Sequence, residues 1–273
     1  MMEFFLFKNQ HVFLDMFIHQ ANAANPKRII SLVPSITELL YELNLSTETV
    51  GITKFCIHPA KWFQTKEKIG GTKNLQIQKI KSLKPDLIIA SKEENVQEQI
   101  EILAELFPVY LTDVGNYEEA VKMILNIGEI TSKTTEAKTL ITAIQVGFNS
   151  IRKPSQQIKT AYFIWKDPFM TVGAGTFIND IMNRLGLQNV FSHFERYPQV
   201  TLQDVATAHP QLILLSSEPY PFKEKHIKEI QAYLPSAKIV LADGEMFSWY
   251  GSRMKYMPVY FNNILTEIGA MNT

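Results

Sequence analysis

The chain has 273 residues, 46% hydrophobic and 20% charged, with 27 basic against 27 acidic side chains. Such a chain can build one large core or two lobes, and its balanced charge offers no basic footprint for nucleic acid. One cysteine, Cys56, excludes an internal disulfide and a cysteine-based zinc cage.

The N-terminal stretch through Arg28 is apolar in tilt, and Ala21-Asn22-Ala23 imitates a signal-peptidase site. Glu3 stands where an export signal carries a basic residue, and Lys8, Asn9, Gln10, His11 and Asp15 interrupt its apolar centre. The stretch therefore reads as an arm or strand packed on the first lobe. No run reaches transmembrane length, so the chain is not expected to span a membrane.

From Arg28 the pattern is strand, polar turn, helix. "RIISLV" is β-rich, and "SITELLYELNL" carries apolar residues at 36, 39, 40, 43 and 45, one face of a helix. Ser35 is the expected N-cap, with Glu38 completing a capping box. "ETVGIT" follows as a strand, then a loop from Phe55 to Thr72, the helix "IQKIKSL", and the strands "DLIIA" and "FPVYLTD". Strands alternating with helices, without hairpin turns, predict a parallel, doubly wound sheet. Two helices follow, over 117–129 and 132–152; the second reads as a strut joining two lobes.

The pattern then restarts. "AYFIW" is a strand, the turn "TVGAGT" leads into the helix "FINDIMNRLGL", and residues 202–218 align with 77–93 at an offset of 125 with six identities. These are Gln78/Gln203, Pro85/Pro210, Leu87/Leu212, Ile88/Ile213, Ser91/Ser216 and Glu93/Glu218. The expected architecture is α/β: two similar Rossmann-like lobes with mainly parallel sheets, over 1–131 and 155–273, joined by a helix over 132–154. A ligand cleft is expected between the lobes.

In open parallel sheets ligands sit beyond the carboxyl ends of the strands. In the first lobe that selects Pro34-Ser35, Phe55 to His58, Gly70 to Asn74 and Ser91 to Asn95, and within them Ser35, Phe55, His58, Thr72, Lys73, Asn74 and Glu93 as ligand residues. In the second it selects Trp165 to Phe169, Arg196-Tyr197, Ser217 to Tyr220 and Asp243 to Arg253, and within them Trp165, Phe169, Arg196, Tyr197, Glu245, Trp249, Tyr250 and Arg253 as ligand residues. Flat rings with a few polar tips suit a large, partly apolar planar ligand. Trp165 and Phe247 read equally well as core, whereas Phe247-Ser248-Trp249-Tyr250 carries three rings in four residues and reads as cleft. His58 in "CIHP" invites a metal reading but has no partner motif, so no metal site is expected. "GAGT" lacks the lysine of a phosphate loop and reads as a tight turn.

"PKRIISLVPSITELLYELNL", "VGITKFCIHP", "IGGTKN", "IKSLKPDLIIA" and "GEMFSWYGSR" resemble the helical-backbone metal-receptor superfamily. These are the substrate-binding proteins of ABC importers for cobalamin, iron siderophores and haem, and the cobalamin-binding branch is the most similar. The resemblance runs from about Pro26 to the C-terminus. It implies a corrinoid or metal chelate held between the lobes, no intrinsic cofactor, a monomer and no enzymatic activity. Phe55, Phe169 and Tyr197 fall on ligand-facing aromatic positions, and Glu245, Trp249 and Tyr250 on the last ligand-contacting segment. Thr72 stands where some cobalamin binders carry tryptophan. The resemblance also implies an ABC permease as partner, docked through one glutamate per lobe; Gln78 and Gln203 occupy those positions, with Asp204 and Glu94 as nearby acids. The family role implies a periplasmic or cell-surface location, and the N-terminus leaves a cytoplasmic one open. Two alternatives stand beside the importer receptor: a cytoplasmic binder or sensor of the same ligand, and a metal-dependent enzyme using His58, Glu93 and Glu245.

Overall fold

The computed structural model describes residues 25–269; the segment read as an N-terminal arm or export signal lies outside them through Ala24. The chain divides into two compact units. One takes the chain through Asp113 and again Val121–Thr142; the other takes Val114–Ala120 and everything from Ala143. The division falls within both mid-chain helices, Tyr117–Ile130 and Thr134–Asn149.

The first unit contains β1 (Ile29–Ser31), β2 (Thr49–Ile52), β3 (Glu67–Lys68), β4 (Gly70–Gly71), β5 (Asn74–Leu75), β6 (Leu87–Ser91) and β7 (Val109–Thr112). Its main sheet runs β3-β2-β1-β6-β7, all parallel. The second unit contains β8 (Ile158–Trp165), β9 (Met170–Thr171), β10 (Leu187–Asn189), β11 (Leu212–Ser216) and β12 (Lys238–Ala242). Its sheet runs β10-β8-β11-β12 in parallel, with β9 antiparallel against β8. β6 and β11 are buried at all five positions, as befits strands covered on both faces.

The duplication expected from the sequence is present in detail. Helices Ile77–Leu83 and Leu202–Ala208 have seven residues each, and each ends on a left-handed residue, Lys84 at φ 46° and His209 at φ 49°. Pro85 and Pro210 then forbid helix continuation, and the chain turns into β6 or β11. Even the register lock repeats. The Asp86 carboxylate accepts from the N–H groups of Lys27 and Arg28, both at 2.7 Å, at the entry to β1. Gln211 Oε1 accepts from Lys159 N at 3.0 Å at the entry to β8. The two residues are related by the same offset of 125.

Several local expectations need correction. Ser35 is not the N-cap: the helix is Pro34–Glu42, its N-cap is Val33, and no side chain caps it. Pro34 occupies the first turn, where its fixed φ suits the helix and its missing N–H costs nothing. The matching helix in the second unit, Phe177–Arg184, does use a side-chain cap, Thr176 accepting from Asn179 N. The stretch Phe55–Thr72 is not a plain loop. It holds a helix, Ala60–Thr65, anchored by Trp62, which is 2% exposed and meets Tyr41 edge-on. The antiparallel β4–β5 hairpin begins in it, so hairpins are not absent from this chain. "GAGT" is a tight turn ending in the Thr176 cap, with Gly175 at φ +70°. Among the described residues no helix is long and apolar enough to cross a membrane.

One buried amide fastens the loops of the first unit. Asn95 is 2% exposed; its Oδ1 accepts from Ser91 N at 2.8 Å, and its Nδ2 donates to Thr72 O at 3.1 Å and Leu32 O at 3.4 Å. It thus joins the exit of β6, the β4–β5 turn and the exit of β1. Replacing Asn95 by alanine leaves buried backbone groups unpaired, at about 1–3 kcal/mol of stability. A lowered urea midpoint with an unchanged m-value is the expected outcome.

Candidate functional site

Parallel strands deliver their carboxyl ends to one edge of a sheet, so each unit has one strand-exit face. In the first unit this face collects Phe55, Thr72, Lys73 and Glu93. Phe55 follows β2 and is 51% exposed, a large ring left open to solvent. It lies against Gly71, where a Cβ would stand 3.0 Å from Phe55 Cε2, and the Lys54 ammonium sits 5.1 Å from its ring centre. Lys73 Nζ donates to Glu93 O at 3.4 Å, and desolvation pushes its ammonium pKa down, partly offset by Glu94 and Glu93. Glu93 N in turn donates to Ser91 Oγ at 3.2 Å. Asn74 is exposed in β5, and His58 is half-buried beside Pro59.

Ser35 sits at the exit of β1, 3% exposed, and its Oγ has no hydrogen-bond partner. Among the described residues, no three His, Cys, Asp or Glu side chains stand close enough to hold a metal ion. Cys56 is buried, its thiol pKa raised by desolvation against hydrogen bonds from Thr37 and Thr53. It is a packing residue two positions before His58, without the character of a reactive thiol.

The second unit builds a tighter cluster where β11 and β12 end. The Glu218 carboxylate accepts through Oε1 from Trp249 Nε1 at 2.8 Å and from Ser248 Oγ at 3.1 Å. Glu245 pairs with Arg253 at 2.9 Å, and the Arg253 guanidinium lies 4.8 Å from the Trp249 ring centre. Gly244 is required here: a Cβ would come within 2.5 Å of both Glu218 Cγ and Ser216 Oγ. Glu218, Asp243 and Glu245 line a cavity of about 530 Å³ with Ser217 and Phe222. Burial, then the charges of Glu245 and Asp243, raise the Glu218 pKa against the hydrogen bonds of Ser248 and Trp249.

The other expected residues divide. Trp165 is half-buried, edge-on to Tyr220 at 5.7 Å, and Phe169 packs on Phe163 at 5.3 Å. Arg196 donates to Gly175 O at 2.7 Å and covers the Tyr197 ring at 5.6 Å. The aromatic run 247–250 is not presented as a whole. Phe247 is fully buried between Tyr162 and Phe261, and Tyr250 is 3% exposed against Phe177. The short helix Gly244–Ser248 turns those two rings inward and leaves Trp249 half-buried.

Three side chains organise these faces: Asn95 and Glu218, both within the strand-exit stretches that the sequence selects, and Gln99, which was not singled out from the sequence. Gln99 brackets the β4–β5 turn, donating to Lys73 O at 3.0 Å and accepting from Leu75 N at 2.8 Å. Gln99 lies in the first turn of the helix Gln97–Ala104, four residues after Asn95, and that spacing was the available signal. Gln78 and Gln203 are exposed, each the second residue of its seven-residue helix. Asp204 beside Gln203 is engaged in a capping box, accepting from Thr201 Oγ1 at 2.7 Å and Thr201 N at 2.8 Å, which hold its carboxyl below the usual range. A larger cavity, about 610 Å³, lies along β10 between Phe194 and Thr207 and contains none of the expected ligand residues.

Residues 29–235 match the periplasmic binding protein family. The chain belongs to that family. Among its relatives is a vitamin B12-binding protein of Vibrio parahaemolyticus, 24% identical over 75% of this chain and 77% of the relative. An uncharacterised ABC transporter substrate-binding lipoprotein of Bacillus subtilis is 28% identical over 69% of this chain and 63% of the relative. The fold matches a possible iron-binding, periplasmic solute-binding protein of Staphylococcus epidermidis. There the TM-score is 0.74 at 23% identity, over 88% of this chain and 98% of that one. This periplasmic binding protein is thus a substrate-binding protein by family, with the two α/β units that the sequence resemblance implied.

The raised Glu218 pKa has a consequence for stability. The folded state holds this proton more tightly than the unfolded chain, so stability falls as pH rises through the raised value. Below the ordinary carboxylate range both states are protonated and the full contribution is present. Glu218→Gln removes that component, so its urea midpoint should exceed that of the parent near neutral pH and lose the advantage toward acid.

Proposed function

We propose that this protein binds a corrinoid or a comparable metal chelate, without transforming it, as the receptor of an ABC import system. The observation that carries the reading is the pairing of family membership with two ligand-ready rings at strand exits. Phe55 is half-exposed over Gly71, and Trp249 is held at its edge by Glu218 and at its face by Arg253. Flat rings so placed offer stacking surface to a large planar ligand at small entropic cost, because their orientation is already fixed. Polar tips around them, Lys73 and Glu93 in one unit and Ser217 and Asp243 in the other, can meet amides or carboxylates on its rim.

The vitamin B12-binding relative favours a corrinoid, while Thr72 in place of the tryptophan found in some cobalamin binders favours a smaller or less aromatic partner surface. Docking to a permease would run through Gln78 and Gln203, whose amides can hydrogen-bond arginine without the charge-assisted part of that bond. Each unit would carry one docking residue.

Titration of the full chain with cyanocobalamin, haemin and a ferric siderophore, followed by absorbance and calorimetry, tests this reading. Saturable one-to-one binding of one of them is expected, weakened about tenfold or more by Phe55→Ala, the scale of losing one aromatic contact. No binding to any of the three, or binding indifferent to Phe55→Ala, contradicts it.

A further inference from the structure

Trp249 is held from two sides by acids of the same unit. Glu218 Oε1 accepts from its indole N–H at 2.8 Å, and Glu245 holds Arg253 at 2.9 Å over the ring. The loop is built around this carboxyl: Gly244 leaves room for Glu218 Cγ, Gly244 N donates to Ser217 Oγ at 2.9 Å, and Ser248 adds a second donor to Oε1 at 3.1 Å. On the β11 side, Ser216 Oγ accepts from Tyr162 OH at 3.1 Å and from Glu218 N at 3.4 Å, and donates to Glu218 O at 2.5 Å.

We propose that Glu218 is a proton-sensitive positioning residue, whose ionised carboxylate fixes the Trp249 ring for ligand and releases it when protonated. The inference rests on the ligand-binding reading above. The groups facing Glu218 are Asp243 and Glu245 after β12, Ser248 and Trp249 on the same segment, and Tyr162 on β8 through Ser216. Two of these are like charges, and Arg253 is engaged by Glu245, so the carboxylate is balanced by neutral donors. Loss of the charge weakens the indole bond, because an ionised acceptor holds an N–H about twice as strongly as a neutral one. It also relieves the repulsion from Asp243 and Glu245. The site would grip its ligand near neutral pH and loosen in mild acid.

The three tryptophans, Trp62, Trp165 and Trp249, give separate indole N–H signals in the ¹⁵N-labelled full chain without ligand. The Trp249 signal, assigned by Trp249→Phe, should move as pH falls through a midpoint above the ordinary carboxylate range. It should be flat in Glu218→Gln. Glu218→Asp keeps the charge but is one methylene short, and should shift the Trp249 signal toward that of a free indole at every pH. A Trp249 signal that does not titrate, or that titrates unchanged in either variant, overturns the proposal. With cyanocobalamin as probe, affinity should fall about tenfold from pH 7 to pH 5 in the parent, with little change in Glu218→Gln. Absence of cyanocobalamin binding bears on the functional reading, while the ligand-free indole titration decides the role of Glu218.

Discussion

A parallel sheet brings its strand ends to one edge, where the backbone ladder stops and its polar groups must find other partners. That constraint organises both units. In the first, the buried Asn95 amide takes up Ser91 N, Thr72 O and Leu32 O, and so fixes three loops together. In the second, Glu218 gathers Ser248 and Trp249 where β11 and β12 end. Buried polar groups are costly unless satisfied, so each of these side chains dictates the path of the loops that satisfy it. The faces on which a ligand would be met are consequences of that accounting.

The two units solve one topological problem with the same parts and then diverge. Each has a seven-residue helix, a left-handed residue, a proline, a side chain that locks register, and a fully buried strand ending in serine. Divergence begins after Ser91 and Ser216. The first unit continues with Glu93 and the Asn95 amide toward an open Phe55. The second continues with Glu218, enclosed among acids and aromatic rings. One face thus leaves an aromatic ring open to solvent, and the other holds a half-buried carboxylate among two further acids.

The repeated device was legible because its signals are local. Helical periodicity over Ile77–Leu83, the break at Pro85 and the apolar run of β6 lie within fifteen residues, and the copy at 202–216 repeats them. The hairpin Gly70–Leu75 and the helix Ala60–Thr65 were not, because contacts far away in sequence define them. Gln99 closes the hairpin and Tyr41 backs Trp62. At Val33-Pro34 the proline outweighed the Ser35 capping pattern, since a fixed φ at the first helical position needs no side-chain cap. In 247–250 the aromatic count suggested an open surface, but a single helical turn sends Phe247 and Tyr250 into the core and keeps Trp249 at its edge. Which strand-exit side chains would act as organisers was also hidden: Asn95 and Glu218 differ from their neighbours only in what the fold places around them.

The proposed function requires the strand-exit loops to receive the ligand. Hydrogen–deuterium exchange of the full chain with and without saturating cyanocobalamin tests it most directly. Protection should concentrate in Lys54–His58, Gly71–Asn74, Lys92–Asn95, Ser217–Tyr220 and Asp243–Arg253. Protection centred on Gln188–Thr207, along the separate cavity beside β10, with those loops unchanged, would contradict the account.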